Sequence, residues 1–495
     1  MAGYVLGIDQ STQGTKALLF DEAAQLICRA DLPHRQIVDA KGWVEHDPDE
    51  IYRNTVETVK LLVEKAGIDK NDIQALGISN QRETALVWDR ETGRPIYHAV
   101  VWQCARGAAI CEEISRRQSD AETVRSHTGL QLSPYFSAAK IAWVLRNVEG
   151  AQEKADKGRL CCGTIDSWLV YKLTKGREFR TDYSNASRTQ MFNIRTLEWD
   201  KEVCGLFGIP TSCLAEVTDS DGCYGTTDFE GFLDQEIPIR GVLGDSHGAL
   251  FGQGCLKKGM VKATYGTGSS IMMNIGEQPV FSNRVVTSLA WGMGGKVNYV
   301  LEGNINYTGA VITWLKDDLK MIQSPAETEE LAKTANPFDT TYLVPAFSGL
   351  GAPWWDSDAK AVLYGMTRTT RRSEIVKAGL ESIVYQITDV LEAMQQESGI
   401  RIEELRVDGG PTRNTYLMQF QSDMAGIPVQ VPSSEELSGI GAAYTAGLAV
   451  GIYHMDSLFD GSERTKFVSG MGKEDREKKY RGWREAISST LSSQK

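Results

Sequence analysis

The chain has 495 residues, a net charge of −12, 41% hydrophobic residues and 24% charged residues. This length exceeds what one hydrophobic core usually serves, so we expect two large domains, at residues 1–250 and 251–495. The negative net charge argues against sequence-independent binding to nucleic acid or to anionic membrane surfaces.

The N-terminal sequence and the cysteine content indicate the cellular compartment of the protein. Residues 1–8 reach Asp9 too early for a signal-peptide core, and no apolar run approaches the roughly 18 residues of a spanning helix. The nine cysteines are odd in number and contain no C-x-x-C pair. They suit reduced thiols in a cytosol better than a disulfide framework. We therefore expect a cytoplasmic protein with no membrane partner and no nucleic-acid partner.

The first predicted element is a hairpin at the N-terminus. Residues 4–8 form a buried-strand pattern, residues 9–14 a polar turn and residues 15–20 a second strand. Residues 259–273 repeat this strand–turn–strand unit, with the turn at residues 265–268. The repeat predicts a duplicated architecture.

Helical patterns fill the segments between the predicted strands. Apolar residues recur at helical spacing in residues 49–66 and 374–398, and Asp47 is a candidate N-cap for the first helix. Residues 438–451 are small and apolar, which is typical of a helix packed close to another backbone. Strands that alternate with helices predict an α/β fold, with a ligand cleft between the two halves.

The turn at residues 9–16 has the composition of a phosphate-binding loop. Small and hydroxylated residues let backbone amides and hydroxyl groups surround phosphate oxygens. The candidate residues are Ser11, Thr12, Gln13 and Lys16. Asp9, at the end of the strand, could hold Mg²⁺ directly or through water. The turn lacks the Walker pattern G-x-x-x-x-G-K-[ST], and taken alone it is also compatible with a plain polar hairpin.

Three further polar and glycine-rich positions follow. Asp245, at the expected domain junction, could accept a proton from a substrate hydroxyl. The turn Gly266-Thr267-Gly268 could surround a phosphate that is being transferred. The run Asp408-Gly409-Gly410, followed by Asn414, allows close approach of the backbone to a base or ribose. Each signal is weak alone, but their order along a duplicated α/β chain is a stronger indication.

Several longer strings resemble the FGGY carbohydrate kinases, and among these the glycerol kinase branch. They are Asn80-Gln81-Arg82-Glu83-Thr84, Val101-Trp102-Gln103-Cys104, Asn185-Ala186-Ser187-Arg188-Thr189, Gly349-Leu350-Gly351-Ala352-Pro353, Arg406-Val407-Asp408-Gly409-Gly410 and Met418-Gln419-Phe420-Gln421-Ser422-Asp423. The resemblance runs over residues 4–454, nearly the whole chain. It implies two actin-like (ribonuclease H-like) ATPase domains. The first would contain the substrate site and the phosphate-binding loop, and the second would bind the nucleotide.

The resemblance also implies an ATP-dependent kinase that uses Mg²⁺. Its polyol or sugar site would consist of Arg82, Glu83, Trp102, Tyr135, Ser246 and Ser270. Asp245 would be the base that orients the hydroxyl for in-line attack and, with Asp9, a metal ligand. The nucleotide would contact Gly266, Thr267, Gly309, Gly409, Gly410 and Asn414. Members of the family are often dimers or tetramers, so we expect a homo-oligomer.

Two positions depart from the glycerol kinase pattern. Ser246 stands where Gln usually follows the catalytic Asp, and Ser270 stands where Phe usually follows Gly-Thr-Gly by two residues. Both exchange a large side chain for a small hydroxyl, which predicts a larger and more polar pocket. Two substrates therefore stay open: glycerol or a close relative, and a longer tetritol, pentitol or pentulose such as xylulose. A third hypothesis, a non-catalytic actin-like ATPase module, leaves the polyol-binding set unexplained.

Overall fold

The computed structural model describes residues 3–461 and 463–492. Strands of the first half are β1 Tyr4–Gln10, β2 Gly14–Phe20, β3 Leu26–Pro33, β4 Ile37–Val38, β5 Val44–His46, β6 Ile73–Asn80, β7 Ala85–Asp89, β8 Ala99–Val100, β9 Leu160–Thr164, β10 Arg180–Asp182, β11 Phe192–Asn193, β12 Glu198–Trp199, β13 Glu216–Thr218, β14 Thr226–Thr227 and β15 Ile237–Gly244. Its helices are α1 Pro48–Ala66, α2 Ala108–Ser115, α3 Gln118–Thr128, α4 Ser137–Asn147, α5 Ala151–Asp156, α6 Ile165–Leu173, α7 Tyr183–Ala186, α8 Lys201–Phe207 and α9 Asp245–Gly252.

The second half continues the alternation of strands and helices. Its strands are β16 Val261–Tyr265, β17 Ser269–Gly276, β18 Val286–Met293, β19 Lys296–Ile305, β20 Tyr342–Val344, β21 Val362–Tyr364, β22 Leu405–Asp408, β23 Val429–Pro432 and β24 Arg464–Phe467. Its helices are α10 Gly309–Thr313, α11 Glu327–Thr334, α12 Arg372–Ser398, α13 Thr415–Ala425, α14 Leu437–Ala449 and α15 Lys473–Ser488. Shorter helical turns are Lys70–Asp72, Thr211–Cys213, Trp314–Asp318 and Gly410–Arg413.

Each half contains a large mixed sheet with the same central arrangement. The first has the strand order β14-β15-β6-β1-β2-β3, and the second β18-β19-β17-β16-β22-β23-β24. In the first, β1, β6 and β15 are parallel, and β2 and β3 continue from β1 as antiparallel neighbours. In the second, β16, β22 and β23 are parallel, and β17 and β19 are the antiparallel neighbours. The predicted α/β duplication is confirmed.

The local sequence signals account for the element boundaries. Both predicted hairpins are present, as β1–β2 and β16–β17. Asp47 is the N-cap of α1, because its side chain accepts a hydrogen bond of 2.9 Å from the backbone N–H of Asp49. The predicted helix at residues 374–398 corresponds to α12. Within the described ranges, no helix combines the length and the apolarity needed to cross a bilayer.

Helix α14 belongs to the second half of the chain but packs on the sheet of the first half. Its apolar residues Ile440 and Ala443 share a core cluster with Val5 in β1 and Ala75 in β6. The contact is close enough that a Cβ atom added to Gly77 would lie 2.1 Å from the carbonyl oxygen of Ala442. The small residues of α14 are therefore required by backbone proximity, as the sequence predicts. This helix of the second half thus covers one face of the first sheet.

Candidate active site

The turn between β1 and β2 is closed by its own hydrogen bonds. The backbone N–H of Ser11 and its hydroxyl donate to the carbonyl oxygen of Gly14, at 2.9 and 3.0 Å. Ser11 and Thr12 are half-buried, whereas Gln13 is exposed at the tip of the turn. The turn is thus a short, ordered loop whose tip remains open to a ligand.

Lys16 lies beside acidic groups in this structure. Its Nζ donates to Glu436 Oε2 at 2.8 Å and lies 3.7 Å from Asp9 Oδ2. Arg29 pairs with the same Glu436, which precedes α14. Lys16 therefore ties the turn of the first half to the helix that the second half contributes.

Asp9 is a buried carboxyl with perturbed proton affinity. Burial, together with the negative charges of Asp245 and Glu436, raises the pKa of Asp9 to about 6, although the charge of Lys16 opposes the shift. The influence of Asp245 on Asp9 means that the strand-end carboxyl and the candidate base share one electrostatic environment.

Trp102 and Tyr135 form an aromatic wall next to the phosphate-loop candidate. Their rings pack edge to face, with centroids 5.6 Å apart. The indole Nε1 of Trp102 donates a hydrogen bond of 2.9 Å to the hydroxyl of Thr12. Both aromatic side chains are half-buried, so part of each ring faces open space. Two of the predicted polyol-site residues therefore adjoin one of the predicted ATP-site residues.

Arg82 connects the candidate base to the rest of the site. Its Nε donates to Asp245 Oδ1 at 3.0 Å, and one of its terminal nitrogens donates to the hydroxyl of Ser246 at 3.2 Å. Asp245 is the first residue of α9, and its side chain is 38% exposed, so one face of the carboxylate remains accessible. Arg82 itself is buried, because it follows the central strand β6.

Glu302, in β19, holds the guanidinium of Arg82 from the opposite side. Glu302 accepts two hydrogen bonds from Arg82, at 2.9 and 3.0 Å, and lies 2.9 Å from a terminal nitrogen of Arg188. Burial alone would raise the pKa of the Glu302 carboxyl. The positive charges of Arg188 and Arg82 outweigh this effect and lower the pKa well below its usual value. Ser270 Oγ donates to Glu302 Oε1 at 3.3 Å.

Glu83 is paired as well and has a special backbone conformation. Its Oε1 accepts a hydrogen bond of 2.6 Å from Arg188 Nε, in a pair that is almost fully buried. The φ angle of Glu83 is 59°, in the left-handed region that non-glycine residues rarely adopt. The neighbouring backbone turns sharply, because Thr84 N–H donates to Arg82 C=O at 2.7 Å. Strained backbone at this position is consistent with a functional constraint.

The segment that carries Tyr135 is fastened by Lys140. The Nζ of Lys140 donates to the carbonyl oxygens of Pro134 at 2.8 Å and Phe136 at 3.1 Å, and also to that of Tyr135. Lys140 is fully buried, and burial lowers its pKa to about 7, although the charge of Glu83 opposes the shift. This single side chain thus fixes the backbone on both sides of the aromatic wall.

The second hairpin turn lies against the start of α10. The backbone N–H of Gly309 donates to Gly266 C=O at 2.9 Å, and a Cβ on Gly309 would lie 2.8 Å from that oxygen. Gly266 and Thr267 are exposed at the tip of the turn. The glycine at 309 is therefore needed for the contact, and the structure brings the predicted residues Gly266, Thr267 and Gly309 together.

A cavity of about 560 Å³ opens beside this turn, between α10, α11, α12 and the residues before α13. Its lining includes the predicted Gly309, Gly410 and Asn414, and apolar side chains such as Ile312 and Ile383. Asn414 caps α13 and also donates to the hydroxyl of Thr328 at 3.0 Å. An apolar cavity with a few polar groups is typical of a small-molecule site.

Gly409 occupies a position that excludes a side chain. It follows β22 with a φ angle of 100°, and a Cβ there would lie 2.0 Å from the carbonyl oxygen of Tyr265. It lines a second, smaller cavity of about 270 Å³ together with Asp408 and Arg413. Gly410, in contrast, has open space where its Cβ would lie. The paired glycines therefore serve different purposes: the first permits a backbone contact, and the second leaves the larger cavity open.

Comparison with known proteins identifies the family. The N-terminal domain of the FGGY family of carbohydrate kinases matches residues 4–252, and its C-terminal domain matches residues 261–450. The chain belongs to the FGGY family of carbohydrate kinases. It is therefore an ATP-dependent carbohydrate or polyol kinase, as the sequence predicts.

Known members of the family resemble this chain in sequence and in structure. The kinase is 49% identical to a glycerol kinase of Caldanaerobacter subterraneus subsp. tengcongensis over 490 residues, 98% of each chain. A crystal structure of Plasmodium falciparum glycerol kinase with ADP superposes with a TM-score of 0.93 at 36% identity, covering 99% of this chain and 98% of that one. A xylulose kinase from Lactobacillus acidophilus has a TM-score of 0.88 at 18% identity, covering 98% and 97%, and shows the shared fold.

Four residues of this site have no role that the sequence alone predicts. Glu302 is a lone charged residue within the apolar run of β19, and this contrast was its one visible signal. Arg188 lies in one of the family-like strings, but its pairing with Glu83 and Glu302 needed the fold. Glu436 and Lys140 act through contacts that no local pattern shows.

His247 is fully buried behind the site. Burial and the charge of Arg82 lower the pKa of His247 well below its usual value, although Glu302 opposes the shift. Its Nε2 lies 3.5 Å from the hydroxyl of Ser288. The imidazole of His247 is therefore enclosed behind the site and not open to a ligand.

Proposed function

We propose that the kinase transfers the γ-phosphoryl group of ATP to a hydroxyl of glycerol, with Asp245 as the base. The observation that carries the proposal is the hydrogen bond of 3.0 Å from Arg82 Nε to the carboxylate of Asp245, which remains partly exposed to solvent. Glu302 of the second half binds the same Arg82, so the pair lies at the contact between the two halves. Glycerol kinases nearly half identical to the whole chain support glycerol as the substrate.

Each residue of the proposed site has a chemical task. Arg82 and Glu83 offer donors and acceptors for hydroxyl groups. Trp102 and Tyr135 cover the carbon chain and exclude water from it. Asp245 accepts the proton of the attacking hydroxyl as the new P–O bond forms and the bond to ADP breaks. Phosphoryl transfer depends mainly on positioning, which the paired and buried charges around Arg82 provide.

The turn residues are proposed to bind the triphosphate of ATP. Backbone amides and hydroxyls of Ser11, Thr12 and Gln13 would contact phosphate oxygens from the first half, and Thr267 from the second. Lys16 supplies positive charge at the first turn. The cavity lined by Gly309, Gly410 and Asn414 is proposed to hold the nucleoside, since its walls are largely apolar.

The carboxyls of Asp9 and Asp245 fit a magnesium ion that accompanies the nucleotide. Hard oxygen donors are the ligands Mg²⁺ prefers, and a buried carboxyl with a raised pKa is one that an added cation would stabilise in its charged form. The ion would neutralise phosphate charge. Asp9 and Asp245 would hold it directly or through water.

The proposal is tested by a coupled assay of ADP release. Purified enzyme with MgATP is offered glycerol, erythritol, threitol, xylitol, ribitol, xylulose and ribulose, and Asp245→Asn is assayed beside the wild type. We expect glycerol to give the highest kcat/KM, and the variant to lose about 10²- to 10⁴-fold in kcat. A variant that keeps its rate would remove Asp245 as the base, and ADP release that none of the acceptors accelerates would contradict the proposed transfer to a polyol or ketose.

A longer polyol or ketose is the second candidate substrate, favoured by one structural pair. Ser270 lies directly opposite Asn304 on β17 and β19, so their side chains share one face of the sheet. Asn304 is half-buried, and its side-chain amide has no hydrogen-bond partner among the described residues. Ser246, whose hydroxyl accepts a hydrogen bond from Arg82, adds another polar group, and a longer substrate has more hydroxyls to pair with such groups. The same assay decides between the candidates, because a tetritol, pentitol or pentulose would then exceed glycerol in kcat/KM.

We also propose a cytoplasmic location and a homo-oligomer, either dimer or tetramer. Nine unpaired thiols, most of them buried, suit a reducing compartment. Light scattering coupled to size-exclusion chromatography measures the oligomeric state directly. A monomeric mass at assay concentrations would contradict the oligomer.

A further inference from the structure

Glu302 is the only carboxylate that the second half inserts into the charged cluster formed by Arg82, Arg188 and Glu83, within the part of the chain that is described. It lies in β19, opposite Met272 of β17 and Val286 of β18. Its exposed fraction is 0%, and that of Arg82 is 5%. The contact between the two halves is therefore ionic and dry at this point.

The geometry of the Arg82 guanidinium gives this contact its importance. An arginine side chain has five N–H groups in a fixed plane. In Arg82 one is used by Asp245, two by Glu302 and one by Ser246. The fifth N–H group is on Nη1, the terminal nitrogen that binds Glu302 but not Ser246. Because the plane is rigid, whatever fixes the terminal nitrogens also fixes the direction of Nε toward Asp245.

Removal of one partner from a buried ionic cluster leaves the others without compensation. Without Glu302, Arg82 and Arg188 would lose the carboxylate that they share. The acidic partners left to them would be the partly exposed Asp245 for Arg82 and Glu83 for Arg188. Arg82 would then be free to turn toward Asp245 with two nitrogens. That arrangement would place its spare donor away from a bound hydroxyl.

We propose that Glu302 is a positioning residue that locks the guanidinium of Arg82 and thereby ties the polyol site to the second half of the kinase. The inference rests on the proposed function, since it assigns Glu302 to the same site. Glu302 touches neither substrate in this scheme. It acts through Arg82, and its effect is therefore on binding of the polyol rather than of the nucleotide.

The test compares Glu302→Gln and Glu302→Asp with Asp389→Asn in the full-length protein. Asp389 is the matched control, because it is a buried acid of the same half that accepts hydrogen bonds from Trp354, Tyr480 and Trp483. The measured quantities are KM for the polyol, KM for MgATP, kcat and the temperature of unfolding. Glycerol is the probe, or the best acceptor found in the substrate assay.

For Glu302→Gln we expect KM for the polyol to rise about tenfold or more, while KM for MgATP changes by less than about twofold. Glu302→Asp keeps the charge but reaches less far, so its polyol KM should rise less. Asp389→Asn should lower the unfolding temperature and leave both KM values unchanged. This split between the two substrates is a readout that a general loss of stability does not produce.

The positioning role is overturned if both Glu302 variants fold and keep the wild-type polyol KM. It is also overturned if both KM values rise together, or if neither variant folds while Asp389→Asn does, since Glu302 is then a structural residue. Failure of the proposed function is a separate result, because the wild-type enzyme would then phosphorylate none of the polyols or ketoses offered.

Discussion

The indole N–H of Trp102 donates a hydrogen bond of 2.9 Å to the hydroxyl of Thr12. The first residue belongs to the aromatic wall of the proposed polyol site, and the second to the turn proposed to bind phosphate. One hydrogen bond thus joins the two proposed substrate sites within the first half. Because of this bond, we expect a substitution in one site to alter binding at the other.

Trp102→Phe keeps most of the aromatic surface and removes the N–H donor. We expect kcat/KM for the polyol to fall about fivefold, which corresponds to the loss of a hydrogen bond worth about 1 kcal/mol. Thr12→Val removes the acceptor and should have a similar effect. In the double variant the losses should not add, because both changes remove the same bond. Trp199→Phe is the control, since its N–H donates to Ala215 C=O instead; additive losses would contradict the coupling.

Gly409→Ala and Gly410→Ala form a matched pair of neighbours. An alanine at 409 would need a φ of 100° and would place its Cβ 2.0 Å from Tyr265 C=O, whereas Gly410 has open space at its Cβ. We expect Gly409→Ala to lower the free energy of unfolding by about 2–4 kcal/mol. Gly410→Ala should stay within about 0.5 kcal/mol of the wild type. Urea unfolding measures both, and equal losses would show that the backbone contact is unimportant.

Lys140 should make stability depend on pH in the alkaline range. Burial lowers its pKa to about 7, below the usual 10.5, so the unfolded chain binds more protons than the folded protein between these values. The free energy of unfolding should therefore rise with pH between 7 and 10.5, by at most about 1.4 kcal/mol per pH unit from this group. Below pH 7 the destabilising contribution is complete, and above 10.5 it vanishes.

Lys140→Met tests this contribution and the fastening of Tyr135 together. The difference in stability between wild type and variant should change with pH across that range, as measured by urea unfolding in buffers from neutral to alkaline pH. The polyol KM should rise in the variant, because the carbonyls around Tyr135 lose their common donor. Lys333→Met, which removes an exposed lysine, is the control. A stability difference that is constant with pH would contradict the lowered pKa.

Ser270→Phe should narrow the pocket beside Glu302 and Asn304. A large apolar ring there would displace a longer substrate more than glycerol, so the ratio of kcat/KM for xylitol or xylulose to that for glycerol should fall about tenfold. KM for MgATP serves as the internal control and should not change. If the ratio stays the same, Ser270 does not contribute to the size of the pocket.

Local chemistry explains which parts of this protein could be predicted. The hairpins, the Asp47 cap and the glycines at 266 and 409 follow from residue types that act on their immediate neighbours. Ion pairs are different, because a carboxylate gives no indication of its distant partner. Arg82 and Glu302 are separated by 220 residues, and Lys16 and Glu436 by 420. The sequence therefore predicted Arg82 and Lys16 but not Glu302 and Glu436, the acids that hold them.

The division into residues 1–250 and 251–495 stays a prediction. The family domains meet near residues 252 and 261, but α14 crosses this line by covering the first sheet. Charge supports the same connection, since Lys16 and Arg29 of the first half both pair with Glu436. A boundary in sequence thus does not coincide with a boundary in packing.

The position of α14 has a consequence for the order of events during synthesis. Strands β1, β6 and β15 leave the ribosome long before residues 437–449, so one face of their sheet stays uncovered while nearly 200 further residues are made. A fragment that stops at residue 252 lacks the cover permanently and would expose Val5, Phe20 and Ala75 to water. The sheet of the first half is therefore translated early but is covered only after residues 437–449 have been added.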